Sequence, residues 1–165
     1  MIVYLVGMPG SGKSTVGREL AGRLGVPFVD LDVEIEREAG TSVGEIFRTE
    51  GEPSFRALEA AALVKASMED PSVVACGGGI VLEPANRIAL RNTGVAVYLD
   101  VPIEELRRRV PPAEDRPLIR ETGDLDRLLL ERAPLYREFA SNVVDGRGDP
   151  GDVAEAIVEE LRWSV

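Results

Sequence analysis

Apolar and polar positions come in alternating blocks along the chain. Short apolar runs occupy Ile2–Val6, 27–29, Ser72–Ala75, 95–99 and 142–144. None alternates strictly with period two, the pattern expected of strands covered by helices on both faces. Between them lie longer stretches with helical periodicity. Val16, Leu20 and Leu24 recur at spacings of four after the first run, which predicts a helix beginning near Lys13. Further helices are predicted over 33–39, roughly 43–68, from Pro102 through Arg109, from Leu125, and from Pro150. The 43–68 stretch is long for one crossover, and Pro53 suits the first turn of a new helix inside it. Pro134 predicts a kink just after Arg132. Asp149-Pro150 has the form of an N-cap and first-turn pair. Strand and helix alternating in this way predict an α/β fold with a parallel sheet. The 165 residues suffice for one domain with a proper core, and no linker, repeat or low-complexity tract divides them.

The turn after the first strand is Gly7-Met8-Pro9-Gly10-Ser11-Gly12-Lys13-Ser14-Thr15. This is G-x-x-x-x-G-K-S between a strand and a helix, the context of a phosphate-binding P-loop. The glycines allow positive φ and bring backbone N–H groups close to phosphate oxygens. The helix start adds its positive dipole end. In such a loop Lys13 reaches the β- and γ-phosphates and the Ser14 hydroxyl ligates Mg²⁺. Only Lys13 and Lys65 are lysines among the 19 basic residues, arginine having taken the other positions. The loop needs a compact ammonium rather than a planar fork, so Lys13 is not incidental.

Charge narrows the partners. A net charge of −10 disfavours nucleic acid and anionic membrane, and requires arginines to gather locally wherever a polyanionic nucleotide binds. One cysteine, Cys76, excludes an intrachain disulfide, and the absence of histidine leaves proton transfer to carboxylates. No signal peptide and no apolar run of membrane length is present, so the cytoplasm is the expected compartment.

Ligands of parallel sheets sit beyond the carboxyl ends of the strands. After the second strand comes Asp30-Leu31-Asp32. In extended backbone the two carboxylates face one region, one for Mg²⁺ or its water and one for a substrate hydroxyl. Asp32 as the N-cap of the helix over 33–39 is an equal alternative. Arg56 and Glu59 are i,i+3 neighbours, which could be no more than a surface ion pair. The third strand ends in Cys76-Gly77-Gly78-Gly79, where three glycines favour a backbone that approaches a ligand over a loose turn. Cys76 reads as a small buried apolar residue. Asp100 ends the fourth strand in the manner of a Walker B aspartate, or simply caps the following helix. The stretch 110–118 is rich in proline and charge without periodicity, the mark of a mobile loop. Arg116 within it is a lid candidate, against the plainer reading of a solvated loop.

Taken together, the pieces G-M-P-G-S-G-K-S-T, D-L-D, G-E-P-S-F-R-A-L-E, G-G-G, D-R-P-L and R-A-P-L-Y resemble the shikimate kinase family over essentially the whole chain. The resemblance implies a three-layer α/β/α P-loop kinase fold with sheet order 2-3-1-4-5. It also implies a single domain over 1–165, with a substrate-binding region at about 31–60 and a lid at about 110–123. It implies transfer of the ATP γ-phosphoryl group to the 3-hydroxyl of shikimate, in aromatic amino acid biosynthesis, with Mg²⁺ as cofactor. Carried over by resemblance, Lys13, Asp32 and Arg116 are catalytic, Asp32 holding the shikimate hydroxyls and either serving as base or only orienting the hydroxyl. Gly10, Ser11, Gly12, Lys13, Ser14, Thr15, Arg109, Arg116 and Arg147 bind ATP, with Arg109 and Arg147 at the adenine. Asp32, Arg56, Gly77, Gly78, Gly79 and Arg132 bind shikimate, the two arginines at its carboxylate. Ser14 and Asp30, the latter through water, hold the metal. The partners implied are ATP and shikimate, without nucleic acid or membrane, in a monomer.

Rival readings lack their own signatures. A gluconate kinase would carry D-R-x-P-W-L, and Trp163, at the far end, is the only tryptophan. A nucleotide kinase has no need of the G-E-x-x-F-R-x-x-E and triple-glycine pair. A GTPase switch would carry N-K-x-D, yet Lys13 and Lys65 follow Gly12 and Val64. A silent homologue acting as a binding module would not be expected to keep every catalytic match.

Overall fold

The computed structural model describes residues 1–163. Its sheet has five parallel strands, β1 (Ile2–Val6), β2 (Phe28–Asp30), β3 (Ser72–Ala75), β4 (Gly94–Asp100) and β5 (Asn142–Asp145), in the order β2-β3-β1-β4-β5. β1 lies at the centre, with Leu5 opposite Ala75 on one side and Val97 on the other. Its side chains alternate between two cores. Ile2, Tyr4 and Val6 enter one, and Val3 and Leu5 enter the other. The first core is closed by α4 (Glu52–Ala66), α5 (Pro84–Thr93), α6 (Ile103–Arg109) and α7 (Asp124–Phe139). The second is closed by α1 (Lys13–Leu24) and α8 (Pro150–Trp163) through Val16, Leu20, Val153 and Ile157. Every β1 position is therefore apolar, because both faces are covered.

Two further helices, α2 (Leu31–Ala39) and α3 (Val43–Glu50), stand off the sheet and pack on α4. Ile35, Ile46 and Phe55 form their small separate core, with the Phe47 and Phe55 rings 4.8 Å apart. The stretch expected to be helical over 43–68 is thus two helices. Gly51, at φ 82°, ends α3 and opens α4, a conformation that side-chain-bearing residues avoid.

Strand ends differ from the apolar runs in a consistent direction. β2, β4 and β5 each take in a carboxyl-terminal aspartate, with Asp30 opposite Ala75 and Asp100 opposite Asp145 in the ladders. A hydropathy pattern stops where polarity begins, but the hydrogen-bonded ladder does not. Helix α5 has no counterpart in the sequence reading. It buries only Asn86 and Leu90 and leaves Ile88 exposed, so its periodic signal is weak. α7 remains a single helix through Pro134, whose missing N–H falls beside the exposed Leu130 turn, where water can serve the freed carbonyl. The Asp149 carboxylate accepts from Gly151 N (2.8 Å) at the start of α8. Among the described residues no helix is long and apolar enough to cross a membrane.

Candidate active site

Beyond the carboxyl end of β1 the chain turns through Gly7, Gly10 and Gly12 at φ 150°, 79° and 95°. Positive φ here lets the loop fold around a concavity and hand over to α1, whose first bond is Val16 N to Gly12 O (2.8 Å). Gly10 meets a second demand. A Cβ there would lie 2.1 Å from Val110, at the end of α6. The Lys13 ammonium donates to Gly7 O (2.9 Å) and Met8 O (2.8 Å), tied to the loop's own carbonyls. Burial pulls its pKa down to about 8, against the upward pull of the Asp32 carboxylate.

Asp30 and Asp32 line one cavity, but not for the reason that extended backbone supplies. Asp30, not Asp32, is the N-cap. Its Oδ1 accepts from Asp32 N (3.1 Å) and Val33 N (3.4 Å). Helix α2 begins at Leu31, so Asp32 is a first-turn helical residue. The other Asp30 oxygen accepts from the Ser14 hydroxyl. With its proton committed to Asp30, Ser14 Oγ keeps its lone pairs for a cation. Asp32 is partly buried, and desolvation raises its carboxyl pKa above the ordinary range, with Lys13 opposing.

The three glycines after β3 make room for side chains. None has positive φ. A Cβ at Gly77 would lie 2.6 Å from Glu59 Oε2 and 3.1 Å from Asp32 Oδ1. One at Gly78 would lie 3.1 Å from both Arg132 Nη1 and Pro9, and one at Gly79 would lie 2.2 Å from Arg56 Nη1. Two carboxylates and two guanidiniums therefore reach the same short turn. The Arg56 fork is held by Glu59 (3.0 Å) and Glu52 (3.1 Å). This is no surface pair, since the Glu59 side chain is only 1% exposed and burial raises its pKa. Arg132 is 3% exposed and its Nε has no hydrogen-bond partner.

These residues wall a cavity of about 580 Å³, with Val43, Gly44 and Phe47 of α3 opposite and 115–119 across the top. The crossing loop is anchored at its ends by buried Val110 and Ile119. It reaches α3 closely enough that a Cβ at Gly44 would lie 2.8 Å from Asp115 O. Arg116 lines the cavity while its side chain donates to Pro111 O. A second cavity, about 370 Å³, holds Lys13, Ser14, Thr15 and Asp30. It shares Pro9, Gly10, Asp32, Gly77 and Gly78 with the first. A third, about 360 Å³, runs from Gly12 and Thr15 to Gly146, Gly148 and Pro150. Arg109 bridges it, donating to Gly10 O (3.2 Å) and Gly146 O (3.3 Å).

Arg147 does not join this group. Its fork closes on Asp145 (2.7 Å), and it lines a separate hollow with Asp100 and Arg137. Asp100 pairs with Arg137 (2.6 Å) and lines neither the phosphate nor the large cavity, which corrects its resemblance to a Walker B aspartate. Cys76 is buried, with its thiol pKa pushed up by desolvation. No motif in the sequence marks Glu36. It lines the large cavity and accepts from Val43 N (2.9 Å) across the α2–α3 turn. Nor does the sequence mark a task for Glu59 or Tyr136, although both lie inside the quoted motifs, Glu59 at helical spacing from Arg56.

A P-loop opening on a 2-3-1-4-5 sheet, with an arginine-walled cavity beside it, defines a P-loop kinase fold. The model of the family described as "Shikimate kinase" matches residues 9–162. The shikimate kinase of Aromatoleum aromaticum is 45% identical over 98% of this chain and 95% of its own. That of Halorhodospira halophila is 47% identical over 97% and 93%. The solved shikimate kinase from Acinetobacter baumannii, in complex with shikimate, superposes with a TM-score of 0.94 at 38% identity, covering 99% of this chain and 93% of that one. The chain belongs to the shikimate kinase family.

Proposed function

We propose that the chain transfers the γ-phosphoryl group of ATP to the 3-hydroxyl of shikimate, giving shikimate 3-phosphate and ADP. The observation that carries this reading is Arg132. A guanidinium 3% exposed with an unpartnered Nε, walling a cavity beside Arg56, calls for an anion with a fork-shaped acceptor. Shikimate has one carboxylate, and its hydroxyls then extend toward Asp32, which is common to the substrate and phosphate cavities.

Phosphoryl transfer needs positioning and charge stabilisation more than covalent chemistry. The backbone of 10–15 cradles the phosphates, and Lys13 exchanges its loop carbonyls for phosphate oxygens. Asp32 orients the acceptor hydroxyl and takes its proton. Arg109 flanks the adenine with Gly146 and Gly148, a task that Arg147, engaged with Asp145, is not given. Ser14 would hold Mg²⁺ directly and Asp30 through water. Hard oxygen donors suit that ion, and so few protein ligands fit its habit of keeping waters and phosphate oxygens. When bound, Mg²⁺ offsets the charge of the β- and γ-phosphates. The acting unit is read as a monomer, because one chain supplies every wall of the three cavities.

The test is a side-by-side assay of shikimate and its methyl ester. The ester keeps every hydroxyl and loses the charge, leaving the buried Arg132 guanidinium poorly paired. Its kcat/KM falls about 10²-fold or more, in keeping with roughly 2–5 kcal/mol for an unpaired buried charge. Arg56→Ala and Arg132→Ala lose much of that discrimination together with affinity for the acid. Equal use of acid and ester by the wild type sinks the reading.

The loop between Val110 and Ile119 acts as the lid. Arg116 leaves Pro111 O for the phosphates, and the closed loop keeps water from the γ-phosphate. Backbone hydrogen exchange over 111–118 slows when an ATP analogue and shikimate are bound together. Exchange that stays unchanged in the ternary complex counts against a lid.

A further inference from the structure

The turn 77–79 presents three peptide groups to the substrate cavity, and each has its carbonyl tied back into the protein. Gly77 O accepts from Ile80 N (3.1 Å), and Gly79 O accepts from Leu82 N (3.1 Å). These two bonds belong to the backbone turn and form whatever side chains surround it. The middle carbonyl is different. Gly78 O accepts from the hydroxyl of Tyr136, a side chain 58 residues away on α7. A trans peptide is planar, so fixing the carbonyl of Gly78 also fixes the N–H of Gly79, on the opposite side and away from α7. Within the frame of the two turn bonds, the phenol of Tyr136 is the side chain that holds this peptide's carbonyl.

Tyr136 is fully buried and stacks on Tyr98, with ring centroids 5.0 Å apart. The ring is held by packing, which leaves the hydroxyl as the adjustable polar tip. Arg132 lies one helical turn earlier on the same face, and its guanidinium sits beside the Tyr136 hydroxyl. Arg132 Nη1 also lies 3.1 Å from where a Gly78 Cβ would stand. One turn of α7 therefore places a guanidinium and a glycine peptide relative to each other.

We propose that Tyr136 is a positioning residue for the substrate: its hydroxyl holds the Gly78–Gly79 peptide in register with Arg132, so that the glycine amide and the guanidinium meet one shikimate molecule. The proposal rests on the functional reading given above. It adds that the Tyr in R-A-P-L-Y serves the substrate and not only the core.

Tyr136→Phe removes the hydroxyl and keeps the stacked ring. The expected result is a shikimate KM higher by about 10-fold, the worth of roughly 1.4 kcal/mol. The ATP KM stays within about twofold, and kcat changes less than the shikimate KM. Tyr4→Phe is the control. Tyr4 is equally buried and its hydroxyl bonds Thr93 Oγ1 (2.7 Å), so it loses a comparable bond away from the site. That variant keeps the wild-type shikimate KM. A measurement on the unaltered protein decides the matter if Tyr136→Phe fails to fold: shikimate slows hydrogen exchange at the Gly79 amide. An unchanged shikimate KM in Tyr136→Phe, an equal rise in both KM values, or an unprotected Gly79 amide overturns the proposal. Wild type that fails to phosphorylate shikimate overturns the functional reading instead, so the two failures are distinguishable.

Discussion

Replacing Lys13 by methionine lowers phosphoryl transfer by about 10³-fold or more while the fold and melting temperature stay near wild type. Methionine keeps the apolar stem and removes only the charge. In the free protein the ammonium contacts two loop carbonyls, Gly7 O and Met8 O, and takes part in no ion pair among the described residues. Its loss therefore leaves the scaffold intact. During transfer the same charge meets oxygens whose negative charge is shifting, and there it has no substitute in the loop. The ammonium is also poised to report itself. Burial brings its pKa to about 8, and only the charged form binds phosphate. Phosphates then raise that pKa, so binding above pH 8 takes up a proton. Wild-type kcat/KM for ATP should fall about tenfold per pH unit above pH 8, since one group loses one charge. A folded Lys13→Met variant with near-normal turnover rules out this role.

The sheet was legible because β1 carries apolar residues at every position, and the P-loop because its glycines, lysine and serine sit between strand and helix. What the sequence concealed follows from how local its signals are. Asp30 and Asp32 were visible as a pair, but whether strand or helix held Asp32 depends on which aspartate caps α2, and both can. The glycines at 77–79 announced a close approach without saying to what. Their neighbours, Glu59, Arg132 and Arg56, come from two distant helices. Arg147 looked like a partner for the adenine because it lies in the right loop. Its neighbour Asp145, two residues earlier, turns it away, and side-chain direction within a loop has no periodicity to betray it. Tyr136 lies inside R-A-P-L-Y, yet nothing local marks its contact, since its hydroxyl reaches across 58 residues to a backbone carbonyl.

Asp32→Asn lowers turnover by about 10³-fold with little change in ATP affinity, within the 10² to 10⁴ range of a positioned general base. Asparagine matches the carboxylate in size and can still accept a bond from a hydroxyl, so shikimate should continue to bind. What it cannot do is take the proton as the new P–O bond forms. Burial has raised the Asp32 pKa, with Lys13 opposing, which makes it a stronger base than an exposed aspartate. The sign of the pH effect follows. The ionised form is lost as pH falls through that raised pKa, so wild-type activity drops on the acid side and the asparagine variant lacks that limb. A second consequence reaches across the cavity wall. Asp32 is the foremost of the charges holding the Lys13 pKa up. Without it the lysine loses its proton at lower pH, and the alkaline fall in kcat/KM for ATP should begin below pH 8. The two limbs separate the possible outcomes. If saturating turnover stays normal while shikimate affinity collapses, Asp32 only binds the hydroxyls. If turnover falls but the alkaline limb stays put, Asp32 is a base that does not support Lys13. Only when turnover falls, the acid limb vanishes and the alkaline limb moves down does one carboxylate, lining both cavities, serve both the acceptor hydroxyl and Lys13.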